Sequence, residues 1–133
     1  MNIENFHDSS PIRCAIYART AAADGTDIQL QIAYCRNAAA ARGWRVLDNL
    51  IFSDSGKDGT TIDDRPGLSA LLQALGATEV CDVLLVADFR RLSLNTKDFN
   101  RLIEELCWFG LSVCSVTDYA DAGDPEVPAD LFP

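Results

Sequence analysis

At 133 residues the chain is long enough for one domain with a real core and has little room for a second. Its hydrophobic fraction of 48% and charged fraction of 23% are those of an ordinary globular domain, with no membrane-spanning run and no signal-peptide pattern, so a cytoplasmic protein without a membrane partner is expected. Twenty acidic residues against eleven basic ones leave a net charge of −9, which argues against a chain that grips nucleic acid unaided.

Residues 1–12 read as a flexible tail. Arg13 to Arg19, "RCAIYAR", is an apolar run suited to a buried strand. Asp27 to Arg42 carries apolar residues at Ile28, Ala33, Cys35, Ala38 and Ala41, near helical spacing, and Gly43 stops it. Trp44 to Phe52 reads as a second strand, followed by the Gly- and Asp-rich loop "SDSGKDGTTIDDRPG". A short helix is expected over Leu68 to Leu75, with Pro66 and Gly67 at its start. Val80 to Ala87 is the strongest strand, apolar throughout as a parallel strand covered on both faces should be. Thr96 opens a helix through Phe109, Gly110 ends it, and Leu111 to Val116 is the last strand. Trp44 and Trp108 are expected in the core and in helix packing. Residues 119–133 read as an acidic tail. Asp118, Asp121, Asp124, Glu126 and Asp130 stand in the C-terminal stretch without a base among them.

Strand and helix in turn, joined by short links, give an α/β domain over residues 13–118: a three-layer, mostly parallel sheet with helices on both faces. In such folds the ligand site lies at the carboxyl ends of the strands. Arg19 and Arg91 both fall just beyond strand ends, so they can share that rim. The five cysteines, Cys14, Cys35, Cys81, Cys107 and Cys114, have no CxxC spacing, and the single histidine, His7, sits in the N-terminal tail. Free buried thiols are therefore expected, with no metal, no cofactor and no Ser-His or Cys-His pair in the domain body.

Four rim segments, "YARTAAADGTDIQ", "DSGKDGTTIDDRPGL", "DFRRLSLNTKD" and "SVTDYADAGDP", resemble in order and spacing the catalytic domain of the serine recombinases, the resolvase and invertase family. The resemblance covers nearly the whole chain, from Arg13 to about Pro125. It implies an enzyme that cuts and rejoins DNA without a metal, through a serine linked to the DNA phosphate. Arginines would carry the phosphate charge, since the phosphoryl transition state is anionic and guanidinium groups bind it bidentately. On this resemblance Arg19 is the first arginine and Tyr17 the aromatic residue before it. Gln29 is the helix-start glutamine, Asp54 the loop aspartate and Arg65 the arginine of the "RPG" motif. Arg91 is the first arginine of a "DRLSR"-like motif that continues through Leu92 and Ser93, and Thr117 and Pro125 fit the last segment.

Several positions depart from the family pattern. Ala21 stands at the nucleophile position, and a methyl group cannot attack phosphorus. Arg90 replaces the aspartate and Leu94 the second arginine of the "DRLSR" motif, and Asp58 takes the loop-serine position. The acidic, proline-broken end is not suited to the family's long dimerisation helix, and that helix and the DNA-binding domain are expected to be absent. The resemblance thus implies a recombinase catalytic domain inactive in strand cleavage, with DNA a weak partner at best. The chain itself or an intact recombinase is a candidate protein partner. The alternatives are a recombinase active through Thr20, or a flavodoxin-like regulatory module that binds a ligand or partner.

Overall fold

The computed structural model describes residues 11–22, 24–57, 65–78, 81–117 and 120–122. The expectations for the first ten residues, for Asp58 and for Pro125 lie outside them. The strands are β1 (Arg13–Thr20), β2 (Arg45–Ser55), β3 (Val83–Val86), β4 (Ser112–Ser115) and β5 (Ala120–Ala122). The helices are α1 (Ile28–Arg42), α2 (Pro66–Thr78) and α3 (Thr96–Trp108), with a 3-10 turn at Phe89–Arg91. The sheet order is β2-β1-β3-β4-β5; the first four strands run parallel and β5 pairs antiparallel with β4. The sheet thus continues past Asp118 into the segment expected as an acidic tail. Ala-Asp-Ala is only three residues long, too short for an alternating pattern to be read as a strand.

Side-chain alternation along β1 divides the core. Ala15 and Tyr17 face the cluster that includes Leu68, Leu71 and Leu75 of α2 and Leu102 and Leu106 of α3. Cys14 and Ile16 face Cys35 and Ala39 of α1 on the opposite side. This two-sided burial is why β1 and β3 read as apolar throughout. Cys14, Cys35, Cys81 and Cys114 are buried free thiols and Cys107 is an exposed one. Burial pushes the Cys14 and Cys35 thiols up to about 12.

Gly43 closes α1 with φ 72°, its N–H reaching back to the Ala39 and Ala40 carbonyls. Asn95 caps α3 through its side chain, which accepts from the backbone N–H groups of Lys97 (2.9 Å) and Asp98 (3.2 Å). Two expectations change. Trp108 is 88% exposed, because the inward stripe of α3 runs through Leu102 and Leu106 and places position 108 outside. On α1 the buried positions are Ile28, Gln31, Cys35 and Ala39, while Ala33 and Ala41 face out. Trp44, by contrast, is partly buried against the α1-side cluster, and the Arg42 guanidinium lies 5.2 Å from its ring centroid.

Candidate active site

The order β2-β1-β3 sends the chain to opposite sides of β1, so the carboxyl ends of β1 and β3 border the crevice where open α/β sheets place their sites. Pairing of β1 with β3 covers only Cys14 to Ile16, which leaves the backbone of Arg19 without a β3 partner. A side chain fills that role. Gln31 accepts from the Arg19 N–H (3.1 Å) and donates to the Arg19 carbonyl (2.9 Å), completing the strand end as a neighbouring strand would.

Three arginines meet at this rim. Arg19, only 4% exposed, donates through Nε to the Arg91 carbonyl (3.1 Å), through Nη1 to the Lys57 carbonyl (2.7 Å) and through Nη2 to the Arg90 carbonyl (2.7 Å). Arg65, 1% exposed, donates to the carbonyls of Arg91 and Leu92, and its guanidinium lies 5.7 Å from the Tyr17 ring centroid. Its Nε finds no partner among the described residues. Arg91 donates from Nη1 to the Arg19 carbonyl (3.1 Å), pairs through Nη2 with Asp27 (3.3 Å) and lies with Nε 3.3 Å from Asp88. Burial, and then the charges of Arg65 and Arg91, hold the Arg19 guanidinium below its ordinary pKa.

The two innermost guanidinium groups therefore point at backbone. Arg19 and Arg65 share the Arg91 carbonyl, so their donor nitrogens are no more than about 6 Å apart, where like charges repel by ~3 kcal/mol at an effective dielectric of 20. Charged donors on carbonyls contribute roughly 1.5–3 kcal/mol each, and Arg19 alone makes three such bonds. Hydrogen bonding outweighs repulsion. The cluster ties the 3-10 turn and the end of the β2 loop to β1.

Asp54, 5% exposed, is equally committed to the fold. It accepts from the Tyr17 hydroxyl (2.7 Å) and from the backbone N–H groups of Gly67 (2.7 Å) and Leu68 (3.0 Å), so it caps the start of α2. Burial, reinforced by the bond to Asp54, raises the Tyr17 hydroxyl well above its ordinary range and keeps it a donor. The glycine of the "RPG" motif has a steric reason: a Cβ at Gly67 would stand 2.1 Å from the Ser53 carbonyl oxygen.

The segment after β1 is different. Ala21 and Ala22 are exposed, and the loop is held by its backbone, with the Ala22 carbonyl accepting from Gly25 (3.1 Å) and Gly56 (3.2 Å). Thr20 is buried, and its hydroxyl accepts from the Ala22 N–H (3.2 Å). Leu94 is 52% exposed and Arg90 is exposed, whereas Leu92 and Ser93 are buried.

Of the residues expected at the site, the structure brings Arg19, Arg65 and Arg91 together with Asp54 and Tyr17 close by. Gln29 is exposed on α1, and the glutamine that reaches the rim is Gln31. A polar residue in step with Ile28, Cys35 and Ala39 was the available signal. Asp27 and Asp88, which flank Arg91, were not anticipated either.

The model of the resolvase N-terminal domain family matches residues 14–130. The chain belongs to this family. No curated protein sequence matches it. Among solved structures, the N-terminal catalytic domain of TP901-1 integrase is 25% identical, with a TM-score of 0.73 over 85% of this chain and 83% of that one. The C-terminal catalytic domain of ISC1926 TnpA, an IS607-like serine recombinase, is 29% identical, with a TM-score of 0.69 over 79% and 70% of the two chains. A resolvase family site-specific recombinase from Streptococcus pneumoniae, 18% identical, shares the fold with a TM-score of 0.73 over 86% of this chain and 78% of that one. The three-layer architecture and the serine-recombinase catalytic-domain family read from the sequence both hold. Among the described residues of this resolvase-family domain, no helix is long and apolar enough to cross a membrane.

Proposed function

We propose that this domain keeps the scaffold of a serine recombinase for DNA strand cleavage and exchange and has lost the cleavage step. The observation that carries the reading is Ala21, a methyl group on the exposed loop that leaves β1 beside the arginine rim. The nearest substitute, Thr20, is buried with its hydroxyl engaged by the Ala22 N–H, which speaks against a threonine nucleophile. Arg19, Arg65, Arg91, Gln31 and Asp54 then form an inherited phosphate-site framework rather than a working one. DNA contact by this chain alone should be no tighter than non-specific, about 10⁻⁴ M or weaker at physiological salt, in keeping with the net charge of −9. The remaining role is regulatory, through pairing with a second copy or with an intact recombinase.

The test is incubation with supercoiled plasmid and nicked suicide substrates, followed by denaturing electrophoresis. The expected result is unchanged DNA and no covalent adduct, for the parent and for Ala21→Ser alone, since Leu94 still lacks a guanidinium group. An adduct with the parent protein would overturn the reading.

A further inference from the structure

Arg91 differs from its neighbours in one respect. Its side chain is 25% exposed, whereas Arg19 and Arg65 are buried and turned onto carbonyls. Among the three, it is the guanidinium group an external anion could reach. That reachable edge already faces a carboxylate: Asp27 Oδ2 lies 3.3 Å from Arg91 Nη2 and also accepts from Gln31 Nε2 at 3.0 Å. Asp27 occupies the N-cap position of α1 and makes no side-chain cap bond there, so its carboxylate is spent on Arg91 and Gln31 rather than on the helix. Asp88 covers the Nε side at 3.3 Å and is itself largely buried.

We propose that Asp27 is an internal competitor for oxyanions at Arg91, a carboxylate that stands where a phosphate or sulfate group would bind and keeps the rim closed to it. The inference rests on the reading of the rim as an inherited phosphate site. The chemistry is like for like: a carboxylate and a phosphate oxygen take the same guanidinium edge, and a tethered competitor acts at a high effective concentration. Asp27 is 36% exposed, so it can be displaced or swing into solvent without unpacking the core. Asp88, at 13% side-chain exposure, has no such freedom.

The experiment titrates the full chain with sodium sulfate and with inorganic phosphate, by calorimetry and thermal unfolding, against chloride at matched ionic strength. The proteins are the parent, Asp27→Asn, Asp27→Ser, Arg91→Ala and the double variant Asp27→Asn/Arg91→Ala. Asparagine and serine are both good N-cap residues, so α1 should survive either change, and far-ultraviolet circular dichroism checks this. The proposal expects both Asp27 variants to bind sulfate at least tenfold more tightly than the parent, and the gain to vanish in the double variant. Equal affinity in the parent and the Asp27 variants, including no binding in any of them, would overturn it. So would a gain that persists without Arg91. Strand cleavage is measured separately, so a failure here leaves the reading of lost cleavage standing or falling on its own assay.

Discussion

The arginine rim and the loop that follows β1 meet at the end of one strand and are opposite in character. In the rim, Arg19, Arg65, Asp54 and Gln31 are all buried, and their polar atoms hold backbone groups at the ends of β1 and β2, in the 3-10 turn and at the start of α2. In the loop, Ala21 and Ala22 are exposed, and the turn is held by main-chain bonds and by the Thr20 hydroxyl, with no part played by the two alanine side chains. The same contrast runs through the segment after β3, where Leu92 and Ser93 are buried while Arg90 and Leu94 lie outside. On the proposed reading, the family's residues persist where a side chain holds the fold and are gone where a side chain could serve only chemistry. A buried arginine at a recombinase-like rim is therefore weak evidence for phosphate handling, because its structural duty alone would retain it.

The contrast can be broken most easily at Arg65. Arg65→Ala takes its bond from the Leu92 carbonyl and one of two from the Arg91 carbonyl, and leaves a cavity against Tyr17, so a loss of about 4 kcal/mol in urea unfolding is expected. A loss below about 1 kcal/mol would show that the rim does not hold the fold. The two glutamines give a sharper comparison. Gln31→Leu should cost about 2 kcal/mol by stranding the buried Arg19 N–H and taking one of two donors from the Arg19 carbonyl, while Gln29→Leu should stay within about 0.5 kcal/mol. Equal effects would remove the case for Gln31 as the residue that completes the end of β1. Smallest of all should be Ala21→Ser and Leu94→Arg, each within about 0.5 kcal/mol of the parent, because both positions are exposed.

These residues also mark how far the sequence could be read. The parallel order of strands and helices was legible because β1 and β3 are buried on both faces and written as apolar runs. The rim arginines were legible because strand ends and motif spacing agree. Gln31 was hidden by alanines: Ala33, Ala38 and Ala41 suggest an inward stripe, yet alanine is equally at home outside, and the true stripe passes through a polar residue. Asp27 reaches Arg91 across a gap in sequence that no local pattern encodes. Trp108 misled for a related reason, since its size suggests burial while its helical phase turns it outward.

The sign of one stability change tests the account most directly. Arg19→Met keeps the aliphatic stem and deletes the charge, so it separates hydrogen bonding to the Lys57, Arg90 and Arg91 carbonyls from repulsion by Arg65 and Arg91. Urea unfolding should be measured without multivalent anions, so that no external ligand relieves the repulsion. If the arginines are retained as a backbone clasp, Arg19→Met loses about 3 kcal/mol. A gain in stability would mean that the rim is a strained charge cluster waiting for an anion, and would contradict the account.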